Sequence, residues 1–384
     1  MKKRTRLTST GRDPQRQHGI VNPPVYRAST VLFPDLDSLE RASATPFEGV
    51  YYGRMGTPTT MAFEQAVAEL EGADRAIAVS SGLAAIAVSL LAFVEHGDHV
   101  LVADNVYGPT RHFCDNFLQQ MGVHTTYYDP LVGADIKYLM DTRTRVVFME
   151  SPGSLTFEVQ DVPAIAREAR AQGVLTVLDN TWATPLYFPA FAHGVDISLH
   201  AATKYLTGHA DAMLGVINTR EAYFHELKRT AVTLGNCPGS EEANLGLRGL
   251  RTLDVRLERH GRSALQIAEW LQGQPQVRRV LHPALPDDPG HALWQRDFEG
   301  TTGLFSFILE PVSRQQLAAM LDGLEHYGMG YSWGGYESLI LPVDPPSLRT
   351  ATQWQEAGQV IRLHAGLEDP GDLIADLAAG LERL

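Results

Sequence analysis

Four short segments of this chain carry residues that could do chemistry. Lys204 follows Ile-Ser-Leu-His-Ala-Ala-Thr and precedes Tyr-Leu-Thr-Gly-His. Lysines are usually solvated, but this one stands in a small, apolar and hydroxyl-bearing setting. Desolvation there lowers a lysine pKa, which a Schiff-base amine requires. Asp179 ends an apolar run, Val174 to Leu178, and a carboxylate at that depth needs a partner. It reads either as a turn or cap residue or as the acceptor for a protonated ring nitrogen. Ser80-Ser81-Gly82-Leu83 opens an apolar helical stretch with small residues and free backbone N–H groups. Such a turn suits an anion such as a phosphate, although many merely let the chain turn. Asp104 to Tyr107 is the fourth segment.

Other chemistries find no footing. The turn at Gly82 lacks the further glycines of a dinucleotide fingerprint and the lysine of a P-loop. No His-Glu-x-x-His or cysteine cluster suggests a metal, so none is expected.

The elements around these segments follow from periodicity. Helical spacing runs over Met61–Leu70, Leu83–Phe93, Thr110–Met121 and Val162–Ala171. Between them lie strand-like runs: Ala76–Val79, His99–Ala103, Thr125–Tyr128, Arg145–Glu150, Val174–Leu178, Ile197–His200 and Leu214–Ile217. Arg145–Glu150 is apolar without alternation, as expected when both faces of a strand are covered. Alternating strands and helices imply an α/β fold with a mostly parallel sheet. In open sheets of this kind ligands bind beyond the carboxyl ends of strands, and all four segments lie there. Past Leu250 the pattern becomes α+β: a long helix Leu250–Leu271, strands Val277–Leu281, Gly303–Leu309 and Val360–His364, and a helix Ser313–Leu324 capped by Ser313. Asp369-Pro370 opens the last helix. The first fifty residues, punctuated by Pro23, Pro24, Pro34 and Pro46, read as an arm, with Val25–Phe33 as an extended piece.

The chain has 384 residues, 44% hydrophobic and 20% charged, which suits a large domain plus a smaller one and excludes a disordered or fibrous protein. Lys and Arg total 32 against 45 Asp and Glu, for a net charge of -13. That balance argues against nucleic acid or an anionic membrane as partner. Any anionic ligand must be held by local positive groups. Two cysteines, Cys114 and Cys237, are too few for a disulfide framework. A basic N-terminus without an apolar run behind it, and no span-length apolar stretch, imply a cytoplasmic protein.

The run Asp196-Ile-Ser-Leu-His-Ala-Ala-Thr-Lys204-Tyr-Leu-Thr-Gly-His-Ala-Asp211 is similar to the signature around the Schiff-base lysine of the transsulfuration, or Cys/Met-metabolism, pyridoxal-phosphate enzymes. These belong to the fold-type I aminotransferase-like superfamily, and the resemblance extends from Thr10 onward. Three segments resemble the β-lyase branch. Tyr331-Ser-Trp-Gly-Gly-Tyr-Glu-Ser-Leu339 has a Trp where γ-synthases and γ-lyases have a smaller residue. Glu150-Ser-Pro-Gly-Ser154 replaces an Asn found near the cofactor's ring oxygen. Ile361-Arg-Leu-His-Ala-Gly-Leu-Glu368 matches the branch's C-terminal segment.

The resemblance implies a seven-stranded, mostly parallel sheet flanked by helices. It also implies an arm over 1–55, a cofactor domain over 56–249 and an α+β domain over 250–384. The implied cofactor is pyridoxal 5'-phosphate. Lys204 would carry it as a Schiff base and shuttle the α-proton, and Asp179 would keep the pyridine nitrogen protonated. Tyr107 would stack on the ring and help deprotonate the incoming amine. Gly82, Leu83 and Thr203 would hold the phosphate, with Tyr52 and Arg54 reaching it from a neighbouring subunit. Arg362 would clamp the substrate carboxylate, aided by Ser332 and Trp333. His200, His209 and His364 read as structural. The implied reaction is α,β-elimination of L-cystathionine to homocysteine, pyruvate and ammonia, by a homotetramer built from two dimers with shared sites. Alternatives on the same scaffold are γ-lyase, γ-synthase, acetylhomoserine sulfhydrylase and cysteine desulfhydrase activities. A non-catalytic cofactor-binding regulator is the alternative of another class.

Overall fold

Seven strands build the larger sheet of the computed structural model, which describes residues 1–384. They are β1 (Arg75–Val79), β2 (His99–Ala103), β3 (His124–Tyr128), β4 (Thr144–Glu150), β5 (Leu175–Asp179), β6 (Ile197–His200) and β7 (Gly215–Thr219). Their order is β1-β7-β6-β5-β4-β2-β3. Only β7 runs against its neighbours β1 and β6; the other pairings are parallel. The expected α/β architecture is therefore present. The apolar runs become strands because both faces are covered: Val146, Val147, Phe148 and Met149 of β4 are fully buried. Burying each such side chain stabilises the fold by about 1.5–3 kcal/mol.

A second, four-stranded antiparallel sheet has the order β10-β11-β9-β8. Its strands are β8 (Val277–Leu281), β9 (Leu304–Leu309), β10 (Leu339–Val343) and β11 (Val360–His364). The helix Leu253–Gln272 packs on it, and Pro370–Leu381 packs against that helix. Trp182 joins the two sheets, its indole N–H donating to the Leu304 carbonyl at 2.9 Å.

Caps set the helix starts. The Ser81 hydroxyl accepts from the Ala84 amide at 3.1 Å and opens Gly82–Leu91. Ser313 and Asp369 cap their helices as expected, each accepting a first-turn amide.

Several elements depart from the sequence reading. The long helix spans Leu253–Gln272, close to its expected bounds, but a helix that was not expected, Ser240–Leu250, precedes it across a break at Arg251-Thr252. At that break the buried Arg256 guanidinium takes the Gly249 carbonyl at 2.8 Å. The helix expected over Thr110–Met121 is an α-helical turn, Gly108–His112, passing into a π-helical turn, Phe113–Leu118. Helices Lys3–Ser9, Leu36–Ala44 and Glu221–Thr233 were not expected. Nor was β10, an edge strand whose Pro342 masks an otherwise apolar run. Val25–Phe33 joins no sheet. Hydroxyls hold it instead: the Tyr26 amide donates to Thr59 Oγ1 at 2.8 Å, and Ser240 donates to the Tyr26 carbonyl at 2.6 Å.

Candidate active site

Five loops leave the same edge of the larger sheet. Because β7 reverses twice, β1 points the same way as β6, and the carboxyl ends of β1, β2, β4, β5 and β6 share that edge. Ser80–Gly82, Asp104–Tyr107 and Ala201–Lys204 follow those ends directly, and Glu150 and Asp179 are the last residues of β4 and β5. The smaller sheet supplies Arg362 from β11, and Ser332 and Trp333 come from the loop before β10.

Ser332 joins the two cations. The Lys204 amine donates to its hydroxyl at 2.7 Å, and the Arg362 guanidinium donates to its carbonyl at 3.1 Å. Ser332 itself sits at φ +86°, a strained conformation for a residue with a Cβ. Gly334 lies against the backbone of Lys204: a Cβ there would approach Tyr205 N to 2.9 Å. Lys204 Nζ is 5.2 Å from the Trp333 ring centroid. Burial lowers the Lys204 pKa to about 8, Arg362 pushes it the same way, and Asp179 partly opposes them.

Asp179 is buried and one of its oxygens is committed. Oδ1 accepts from the Thr181 amide at 3.0 Å and from the Thr181 hydroxyl at 2.5 Å. Thr181 Oγ1 in turn accepts from the Ala201 amide at 2.9 Å, which ties the end of β5 to the segment leading to Lys204. Thr181 thus orients the carboxylate and leaves its second oxygen for a ligand. Glu150 stands in register with Asp179 on the neighbouring strand and accepts the Tyr107 amide at 2.7 Å. Burial raises the pKa of both carboxyls, and Asp179 raises that of Glu150 further. At Asp179 the Thr181 hydroxyl and amide, and Lys204 beyond them, partly oppose that rise. Burial also raises the Tyr107 pKa, with Glu150 and Asp179 adding to it and Arg362 opposing, so Tyr107 is a neutral phenol.

The turn at Ser81-Gly82 is pressed against Ala201. A Cβ on Gly82 would lie 2.4 Å from Ala201 Cβ, and one on Gly215 would lie 2.1 Å from the Ser81 carbonyl oxygen. The first-turn amides of Gly82 and Leu83 have no hydrogen-bond partner within the chain. They lie at the N-terminus of this helix, Gly82 buried and Leu83 exposed, a cradle for an anion. Thr203 is less free. Its hydroxyl accepts from the Leu214 amide at 2.8 Å and donates to the Leu214 carbonyl at 3.1 Å. It reaches a phosphate as donor only by turning that proton away.

Tyr52 and Arg54 stand apart from this cluster. Tyr52 is exposed, and Arg54 donates to the Val232 carbonyl at 2.8 Å. The histidines bond within the protein. His200 bridges Asn180 and Glu71, His209 bonds Thr207, and His364 bonds the Gly334 amide and the Glu337 carbonyl. Glu150 and Thr181 are the residues the sequence reading did not assign to the site. Their signal was present: both lie at or just beyond the carboxyl end of an apolar strand, like Asp179.

A half-buried amine of lowered pKa, an oriented carboxylate and an amide cradle are what pyridoxal phosphate needs at its aldehyde, ring nitrogen and phosphate. The residues present fit that group. The Cys/Met metabolism PLP-dependent enzyme family profile matches residues 4–382. The cystathionine β-lyase MetC of Escherichia coli is 44% identical over 387 residues, covering 99% of this chain and 98% of its own. An L-alanine/L-glutamate racemase of Wolbachia pipientis is 40% identical over 396 residues, covering 100% and 98%. The crystal structure of MetB from Corynebacterium glutamicum superposes with a TM-score of 0.91 at 30% identity, over 100% of this chain and 98% of that one.

Proposed function

This chain belongs to the Cys/Met metabolism PLP-dependent enzyme family, and on that premise we propose that it is a carbon–sulfur lyase that cleaves L-cystathionine by α,β-elimination. The overall reaction takes cystathionine and water to homocysteine, pyruvate and ammonia. The observation that carries the reading is the meeting of Lys204 and Arg362 at Ser332, with Trp333 lying beside the amine.

Lys204 would hold the cofactor and, once freed by the substrate amine, stand as the base that removes the α-proton. With a pKa near 8, its uncharged form is available at neutral pH. Arg362 would bind the α-carboxylate, and Ser332 would add its hydroxyl once the amine moves off it. When bound, pyridoxal phosphate supplies a protonated ring that accepts the electrons left by the departing α-proton. Asp179 would keep the ring nitrogen protonated through its free oxygen. Gly82 and Leu83 would hold the phosphate with their amides, with Thr203 joining if its hydroxyl turns. Tyr107 would cover the ring. As a neutral phenol it could take a proton from the incoming ammonium only after giving up its own to solvent, which that arriving positive charge would favour.

Product identity tests the reading. Cofactor-loaded protein with L-cystathionine is expected to release pyruvate and homocysteine. Release of 2-oxobutyrate and cysteine would establish γ-cleavage instead. Exchange of alanine enantiomers without any keto acid would favour the racemase chemistry named for the Wolbachia relative.

The lowered Lys204 pKa predicts a pH dependence. Protonated amine cannot attack an aldehyde, so capture of pyridoxal phosphate by apoprotein should slow as pH falls below about 8 and level off above it. The expected change is roughly tenfold between pH 6 and 7. Stopped-flow absorbance measures it, and a midpoint above pH 10 would contradict the burial argument.

We place the protein in the cytoplasm, supported by two free cysteines, and note that no helix is long and apolar enough to cross a membrane. We divide the chain into an arm (1–55), a cofactor domain (56–249) and a C-terminal domain (250–384). We propose a homotetramer of two dimers, in which Tyr52 and Arg54 serve the neighbour's phosphate. The outward position of both residues supports this, as do the exposed Ile20, Val21, Tyr26 and Leu32 on the arm.

A further inference from the structure

Asp104 immediately follows β2 and its side chain is fully inaccessible. Its two oxygens collect hydrogen bonds from a segment nearly 250 residues away. The amides of Thr350, Ala351 and Thr352 donate to it at 3.0, 3.1 and 2.7 Å, and the Thr352 hydroxyl at 2.7 Å. Arg111 completes the set at 2.5 Å and also donates to Thr350 Oγ1 at 3.1 Å, with its guanidinium 3.5 Å above the Tyr127 ring. A second latch lies beside the first. Asn105 donates to Glu158 at 3.1 Å, and Glu158 accepts Arg349 at 2.6 Å.

The two ends of this connection matter. Three residues after Asp104 comes Tyr107, whose amide is held by Glu150. The segment 344–352 continues from β10, which is paired with β11 so that Leu341 faces Arg362. Asp104 therefore joins the loop that carries Tyr107 to the sheet that carries Arg362. A pairing with Arg111 alone would satisfy the buried charge. Three successive amides aimed at the same carboxylate do more: they fix the path of the strap, because charge-assisted bonds are about twice as strong as neutral ones.

We infer that Asp104 is a positioning residue for substrate recognition, setting the distance between Tyr107 and Arg362 by anchoring the 345–352 strap. This rests on the lyase reading above only for the choice of substrate.

Asp104→Asn tests it. The amide keeps the size of the side chain but turns an NH2 group toward backbone N–H donors. In the cofactor-loaded enzyme, KM for L-cystathionine is expected to rise about tenfold, with kcat changed less than about threefold. Cofactor content and visible absorbance should be unchanged. Hydrogen exchange of peptides covering 345–352 should accelerate at least tenfold. Thr352→Val, which removes one bond and keeps the amide, should move KM and exchange the same way by a factor of about two to three. It carries the test if Asp104→Asn does not fold. Faster exchange with unchanged KM would overturn the inference, as would lost cofactor with unchanged KM. If the wild-type enzyme releases no pyruvate from cystathionine, the lyase reading fails. The same comparison is then made on the Kd of the loaded enzyme for L-alanine, and an unchanged Kd in both variants overturns the inference.

Discussion

Lys204→Ala should lower cystathionine turnover by at least about 10³-fold in protein supplied with excess pyridoxal phosphate. A positioned general base contributes roughly 10²–10⁴-fold, and this residue has a second duty in holding the cofactor covalently. Its surroundings are built for both. Lys204 is desolvated, its Nζ has Ser332 as its hydrogen-bond acceptor, and its pKa is pulled down to about 8. The amine is thus held near the pKa at which it can give and take a proton. Lys204→Arg should not rescue, because a guanidinium stays protonated and cannot serve as base. The loss is chemical rather than structural, since truncation removes a half-buried cation and leaves Ser332 bonded to Arg362. Circular dichroism should therefore be unchanged, and pyridoxal phosphate should still bind through the Gly82 cradle, weakly and without a covalent bond. Turnover within tenfold of the wild type would sink the assignment of Lys204 as base.

Much of this site was legible because its carriers are local. A short continuous apolar run rich in β-branched and aromatic residues, such as Val146–Met149, reads as a covered strand, and the residue at its carboxyl end then lies at the sheet edge where ligands bind. That reasoning located Lys204, Asp179 and the Gly82 turn. The parts that escaped depend on partners distant in sequence. Nothing around Asp104 announces Thr350 to Thr352, and nothing around Ser332 announces both Lys204 and Arg362. Hydroxyl roles escaped for the same reason. The bonds of Thr203 to Leu214, and the grip of Thr181 on Asp179, are not visible in the residues around them. The misread helices share a cause as well. Glu221–Thr233 buries only Phe224, Leu227, Lys228 and Ala231, too thin an apolar stripe to stand out.

Arg362→Ala is the second large effect expected, and it should fall on binding. Arg362 makes no ion pair within the chain; the hydrogen bond it donates goes to the neutral carbonyl of Ser332 at 3.1 Å. Burial already disfavours its charge, so the free protein holds a half-buried guanidinium that is not neutralised. A substrate carboxylate supplies the missing charge. Truncating one partner of such a pair costs about 2–5 kcal/mol, or roughly 30- to 4,000-fold in affinity. KM for cystathionine should therefore rise at least about 30-fold, while kcat at saturation falls far less, because the α-proton is still removed by Lys204. Thermal stability should hold or rise, since no buried anion is orphaned. Arg362→Lys should recover only part of the loss, because an ammonium is a point charge without the planar fork that grips both carboxylate oxygens. If KM stayed within threefold of wild type while kcat collapsed, Arg362 would be acting on the chemical step instead. The carboxylate would then have to be held elsewhere at this edge, and the hydroxyl of Ser332 would be the first place to look.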